Sequence, residues 1–274
     1  MSPAPEPFDL ANALSFARAL ASIAELEILP RFQSCAATRK SDGTEVTEAD
    51  VLAERAMRRA IAAQYPDHSV LGEEDGVSGP REAEYQWILD PIDGTSWFVL
   101  GVPIFGTLIA LARRDQPVVG VIHFPALGQT VSAARGLGCW FRSGHGKPTR
   151  VHVRPPTALA QASVSASGIH GSDLRSDAGP AWCLSSIIRN CAQMRFHGDC
   201  YQHALVCRGE IDAAVDTIMQ PWDSAALIPC VEEAGGVAST LSGDRTGVPD
   251  GGSFLSSSGA ELHEEIVCAL RPRA

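Results

Sequence analysis

The chain is short of positive charge: 22 Lys and Arg stand against 32 Asp and Glu, a net charge of −10. That balance argues against a general nucleic-acid binder, whose phosphate contacts need a basic surface, and against adhesion to an anionic membrane. A small anionic substrate stays open, because bound divalent cations can invert the local charge. No window approaches the ~20 consecutive apolar residues of a membrane span. A secretory signal is missing too, since the first apolar stretch, Phe8 to Leu29, is interrupted by Arg18, Glu25 and Glu27. None of the eight cysteines (35, 139, 183, 191, 200, 207, 230 and 268) forms a CxxC pair, and no two histidines have HxH or HxxxH spacing. Zinc and redox-pair chemistry are thereby disfavoured. Cys207, Cys230 and Cys268 lie in apolar context, where reduced buried thiols are expected, and this points to the cytoplasm. There is no internal repeat and no low-complexity tract.

What is present suits a globular enzyme. The 274 residues, 45% hydrophobic and 20% charged, can form one large domain or two modest ones. Apolar spacing at Leu10, Ala13, Leu14, Ala17, Leu20, Ala21, Ala24 and Ile28 predicts a helix over 9–35 capped by Asp9. A polar loop with Ser41-Asp42-Gly43 follows at 38–47, then a second helix over 47–64. Short apolar runs at 69–71, 85–89, 106–112, 118–124 and 130–133 read as strands, the later ones as an antiparallel meander. Arg154-Pro155-Pro156 is the best boundary, dividing an N-terminal α+β subdomain, 1–153, from a C-terminal α/β subdomain, 154–274. Beyond it the pattern predicts strands at 163–167, 194–196 and 213–215. Helices are expected over 181–190, 201–208 and 224–234, the last stopped by Gly235-Gly236. The expected architecture is layered α+β with one shared cleft.

Acidic residues recur at four places: Glu73-Glu74-Asp75 after a strand, Asp90-Pro91-Ile92-Asp93-Gly94-Thr95, Trp222-Asp223, and Thr47 with Asp50. The second carries most weight. Asp90 is expected to end a very apolar strand, and ligands in layered α/β proteins gather at strand ends. Pro91 would stiffen the turn so that both carboxylates and the Ile92 carbonyl face one hard cation. Without a cation they would repel, and one would stay protonated. Gly94 permits a tight turn into a helix start at Thr95-Ser96, whose free N–H groups suit an anion. Taken singly each piece has a plainer reading: a turn, a solvated loop, a cap at Asp223, or a capping box from Thr47 to Asp50.

Together, in this order, the pieces resemble the inositol monophosphatase superfamily of Mg²⁺-dependent, lithium-sensitive phosphatases. The matching residues are Gly72-Glu73-Glu74, the run Asp90 to Thr95 with Phe98, and Trp222-Asp223 followed by Glu233-Ala234-Gly235-Gly236. The resemblance implies an α-β-α-β-α sandwich, assembled as a homodimer, acting on a small phosphate monoester. It implies two or three Mg²⁺ ions held by Glu73, Asp90, the Ile92 carbonyl, Asp93 and Asp223. Glu73 and Thr95, the latter oriented by Asp50, would activate the attacking water, and the N–H groups of Gly94, Thr95 and Ser96 would bind phosphate. No covalent intermediate is needed, so Ser165, Ser167 and Cys200 need no nucleophilic role.

Within the superfamily, Gly198-Asp199-Cys200-Tyr201, the run Pro221 to Pro229, Lys40 to Thr47 and Gly101-Val102-Pro103 are similar to the histidinol-phosphate phosphatase branch. The expected reaction is hydrolysis of L-histidinol phosphate, with Asp199, Asp216 and Asp223 facing the cationic alcohol. The alternative is inositol 1-phosphate or another sugar or nucleotide phosphate, because carboxylates also accept hydroxyl hydrogen bonds. Ser96-Trp97 departs from the family pattern, and Trp97 is expected at the rim, in the core or at a dimer contact. His197 is expected to be structural.

Overall fold

Helix α1 (Leu10–Ile28) begins where Asp9 Oδ1 accepts from the N–H groups of Ala11 and Asn12 at 2.9 and 3.1 Å. It stops seven residues short of the expected end, because Pro30 enters a 3-10 turn, Leu29–Arg31, and cannot continue the hydrogen-bond ladder. The computed structural model describes residues 8–34, 36–39, 45–175, 181–245, 247 and 252–272. The polar stretch after α1 contains two short antiparallel strands, β1 (Ala37–Arg39) and β2 (Glu45–Thr47), where a loop was expected. The Ser41-Asp42-Gly43 signal lies outside the described residues. Thr47 caps α2 (Glu48–Gln64) in a capping box closed by Asp50.

A sheet of eight strands follows: β3 (Ser69–Gly72), β4 (Gly76–Ser78), β5 (Tyr85–Asp93), β6 (Gly106–Arg113), β7 (Gln116–Phe124), β8 (Gln129–Ala134), β9 (Gly138–Ser143) and β10 (Thr149–Val151). Its order is β10-β9-β8-β7-β6-β5-β3-β4. From β5 to β10 it is an antiparallel meander, and β3 joins parallel to β5. Helix α3 (Thr95–Leu100) leaves the end of β5.

The second sheet has five strands: β11 (Ser163–Ala166), β12 (Gln193–Arg195), β13 (Ala213–Met219), β14 (Val237–Ser239) and β15 (Gly252–Ser257), in the order β12-β11-β13-β15-β14. Its helices are α4 (Leu184–Asn190), α5 (Asp199–Cys207), α6 (Pro221–Ser224), α7 (Leu227–Glu233) and α8 (Ala260–Leu270). The helix expected over 224–234 is two. Pro229 has no N–H and its ring crowds the carbonyl four residues back, at Ala225, where the break falls.

Three cores stack these elements. Ala17, Leu20 and Met57 from α1 and α2 pack on Trp87, Leu89 and Val121, one face of the large sheet. Its other face, with Ile88, Leu108 and Ile122, meets Ala204 of α5, Leu227 and Cys230 of α7, and Phe254 of β15. Behind the small sheet, Val164, Val215 and Leu255 pack on Leu184 of α4 and Ile266 of α8. The result is the expected α-β-α-β-α layering, with the middle core shared by both sheets. Among the described residues, no helix is long and apolar enough to cross a membrane.

Candidate functional site

The site is made by a β-bulge. Strand β5 does not end at Asp90, as its sequence suggested, but runs on to Asp93. Asp90 pairs with Leu108 and Asp93 with Gly106, so three steps on β5 match two on β6. One extra residue reverses the alternation of side chains. Ile88 packs into the middle core, whereas Ile92, four residues on, packs into the outer one. Without that reversal Asp90 and Asp93, an odd number apart, would point to opposite faces. Pro91 fits the bulge because no ladder N–H is needed there, and Thr107 Oγ1 donates to its carbonyl at 2.8 Å.

Asp223, 130 residues further along the chain, joins them from α6. Carboxylate oxygens of Asp90, Asp93 and Asp223 all lie within 4.8 Å of one another. Asp223 also caps its own helix, Oδ2 accepting from Gln220 N at 2.7 Å, so the cap and the cluster are one feature. Burial, then the charges of Glu73, Asp93 and Asp223, push the Asp90 carboxyl well above the carboxylate range. Asp93 is raised by burial and by Asp199 and Asp223, against the pull of the Cys200 N–H, which it accepts at 2.7 Å. Asp223 is pushed up to about 7, chiefly by burial. Asp90 Oδ1 is buried without a hydrogen-bond partner. Crowded carboxylates with an unsatisfied buried oxygen, and only oxygen donors, are what a hard divalent cation requires. The residues present therefore fit Mg²⁺, and a cleft of about 370 Å³ lined also by Glu73, Ile92 and Ser96 opens beside them.

Glu73 reaches the cleft because Glu54 anchors the loop that carries it. Glu54, fully buried on α2, accepts the N–H groups of Glu74 and Asp75 at 2.8 and 2.9 Å and pairs with Arg58 at 2.8 Å. Gly72 leaves room for this. A Cβ there would collide with Glu54 Oε1 and Arg58 Nη2, neither free to move. Gly72→Ala is therefore expected to destabilise the chain by about 1–3 kcal/mol through overpacking, a fall of roughly 3–8 °C in Tm by calorimetry. An unchanged Tm would show that the Glu54 anchor yields.

Asp50 is placed differently from expectation. Its Oδ2 accepts Thr47 N and Oγ1 at 2.8 and 2.6 Å, its Oδ1 has no partner, and it makes no hydrogen bond to Thr95. The third residue of a capping box points back at the cap. Burial raises its carboxyl to about 6, with Glu73 nearby adding to the shift. Thr95 is held instead by the bulge, Oγ1 donating to the Ile92 carbonyl at 3.0 Å. Gly94 precedes it at φ +80°, and a side chain there would strike Asp199 and Trp97. Gly94, Thr95 and Ser96, at the opening turn of α3 where N–H groups lack intrahelical partners, line the cleft.

Across the cleft, α5 begins at Asp199, held at φ +34°, and a second hollow of about 180 Å³ is lined by Asp93, Ser167, His170, Asp199, Asp216 and Asp223. Asp199 is pushed up to about 7 by burial and by Asp216. Asp216 is 3% exposed, and its Oδ2 accepts Gln202 Nε2 and His203 Nε2, both at 2.7 Å, so only part of its carboxylate is left for a ligand. Trp97 packs on the outer core and lays its indole edge against Gly198, where a Cβ would collide with it. His197 is tied to Ser165 Oγ through Nδ1 at 2.9 Å. The Cys200 thiol is buried and held protonated. The sequence reading missed Arg39 and Glu45, which face each other across β1 and β2 at the lip of the cleft. The one signal for them was a basic and an acidic residue flanking the polar turn.

Known proteins resemble this chain over nearly its whole length. The family described as "Inositol monophosphatase family" matches residues 9–273. A histidinol-phosphatase of Chlorobaculum parvum is 38% identical over 231 residues, 84% of this chain and 85% of that protein. One from Streptomyces coelicolor is 34% identical, covering 97% of this chain and 99% of its own. Among solved structures, an inositol monophosphatase from Zymomonas mobilis superposes with a TM-score of 0.81 at 29% identity, over 96% of this chain and 99% of that one.

Proposed function

Given that the chain belongs to the inositol monophosphatase family and is a phosphoric monoester hydrolase, we propose that it cleaves L-histidinol phosphate to L-histidinol and orthophosphate. The observation that carries this reading is the acidic hollow on the leaving-group side. Asp199, Asp216 and Asp223 converge there on a space suited to a positively charged alcohol. The similarity to two histidinol-phosphatases over most of the chain supports it.

Asp90, Asp93 and Asp223, with Glu73 and the Ile92 carbonyl, would hold two or three Mg²⁺ ions. Bound there, the ions supply Lewis-acid activation of water and neutralise phosphate charge. The chain's own groups do the rest. The N–H groups of Gly94, Thr95 and Ser96 grip the phosphate oxygens. Thr95 Oγ1, its proton committed to Ile92, offers its lone pairs to the attacking water, and Glu73 accepts that water's proton. Asp50 acts indirectly, fixing the start of α2 through Thr47. We further infer a homodimer, supported by the open edge strand β12 and the exposed Phe196 after it. Among the described residues seven cysteines are unpaired, which supports a cytoplasmic setting.

With Mg²⁺ supplied, L-histidinol phosphate should give the highest kcat/KM in a panel with inositol 1-phosphate, fructose 1,6-bisphosphate and adenosine 3′,5′-bisphosphate. A better turnover of inositol 1-phosphate would replace this reading with the second one. That alternative is favoured by the fold match to the Zymomonas enzyme and by the capacity of carboxylates to bind hydroxyls.

A further inference from the structure

The sheet face beneath α1 is apolar along most of its length, as a helix-covered face should be, and then changes character. In the register of β7, β8 and β9, Val119 pairs with Ala134, and two residues on Val121 pairs with Ser132, which pairs with Trp140. The next row on the same face is His123, Thr130 and Arg142. Three consecutive strands thus place polar side chains where core packing calls for apolar ones. Their hydroxyl and imidazole groups are nearly fully buried, at 3–4% exposure for His123, Thr130 and Ser132.

Arg18 descends on this row from α1, its Nε donating to Ser132 Oγ at 2.9 Å. Between them is a crevice of about 120 Å³, lined also by Ser22 and Arg142 and walled by the Trp140 indole. It shares no lining residue with the acidic cleft. Among the described residues neither Arg18 nor Arg142 has a carboxylate partner. The nearby acid, Glu25, is taken by His123 Nε2 at 2.9 Å, and His123 Nδ1 is bonded to Thr130 Oγ1. Burial and the charge of Arg142 both lower the affinity of Arg18 for its proton. Two guanidinium groups, one half-buried, thus share a crevice with no carboxylate ion pair among the described residues, in a chain of net charge −10. Such an arrangement is costly alone and favourable around an anion.

We propose that the crevice between α1 and the β7–β9 face is a second anion site. It takes a tetrahedral oxyanion of the phosphate class, gripped by Arg18 and Arg142, with the hydroxyls of Ser22 and Ser132 completing its contacts. Guanidinium forks match the paired oxygens of such an ion. Glu25, held on His123, limits the site to ligands small enough to stay on the arginine side.

Calorimetric titration of orthophosphate into the metal-free full-length chain tests this, with chloride at equal ionic strength as the control. One saturable site per chain is expected. Arg142→Glu, at an exposed position where the new carboxylate would pair with Arg18, should weaken binding at least about tenfold. Arg18→Gln should do the same, and Arg142→Glu should leave phosphatase kcat/KM at low product unchanged. Titrating sulfate separates a general oxyanion site from one that needs a protonated oxygen, and comparable sulfate binding is expected. The proposal is overturned by an absence of saturable binding, or by binding that survives both substitutions, which would assign the ion to the Gly94–Ser96 turn.

Discussion

Asp93→Asn should hydrolyse every phosphate monoester in the panel about a thousandfold more slowly than the parent chain. The substitution keeps size and shape, and the new side-chain oxygen can still accept the Cys200 N–H that Asp93 accepts at 2.7 Å. What it removes is one negative charge from a cluster whose three oxygens lie within 4.8 Å. A divalent ion held there contributes several kcal/mol of transition-state stabilisation, and each 1.4 kcal/mol is tenfold in rate. Raising Mg²⁺ should recover part of the loss, because affinity falls along with turnover. The fold should not suffer, and with one repulsive neighbour gone the metal-free variant should melt at or above the parent. Activity within tenfold of the parent at saturating Mg²⁺ would remove Asp93 from the reaction.

The second large effect is on stability and has an unusual sign. Asp223 and Asp199 are raised to about 7, and Asp90 and Asp93 are raised in the same direction. In the unfolded chain all four return to about 3.9. A group that binds its proton more tightly when folded stabilises the fold while protonated and loses that contribution as pH rises through its folded value. The metal-free protein should therefore lose about 2–3 kcal/mol between about pH 5 and 7, roughly 5 °C or more in Tm. His68, His197 and His263 are shifted downward and act within the same window with the opposite sign, offsetting part of that loss. Mg²⁺ should reverse the slope, since it binds the deprotonated cluster and its linkage strengthens as protons leave. Scanning calorimetry with EDTA and with Mg²⁺ across this range decides it. A metal-free Tm that climbs with pH would mean the carboxylates are relaxed without a cation.

The two results separate what each carboxylate does. Loss of rate in Asp93→Asn with the pH slope intact would place the catalytic defect in metal affinity alone. Loss of both would tie the same charge to catalysis and to the strain of the metal-free fold.

Much of this site was legible in the chain itself. Periodicity located α1, α2 and most strands of the large sheet, because long elements with one buried face write their period into the sequence. The acidic runs were legible for the opposite reason: carboxylates beside an apolar strand such as Trp87–Leu89 have no packing role. Elements without such a signature were missed. Strands β14 and β15 are short and buried, and the hairpin of β9 with β10 is half-exposed, so neither has a clean alternation. Asp50, expected to orient Thr95, commits Oδ2 to its own capping box, while Thr95 Oγ1 donates to the Ile92 carbonyl.

The residue types and their order determined the chemistry available: oxygen ligands for a hard cation, an anion-binding turn, and no thiol or imidazole set for zinc. Only the tertiary structure decided where those groups point. A single bulged residue between Asp90 and Asp93 turns two carboxylates to one side, and packing of α6 and α7 through the shared middle core brings Asp223 to meet them. The same is true of Arg18, His123 and Arg142, unremarkable along the chain and adjacent only because three strands and a helix align. Side-chain direction depends on strand register and on contacts between residues far apart in sequence, and neither is encoded at any one position.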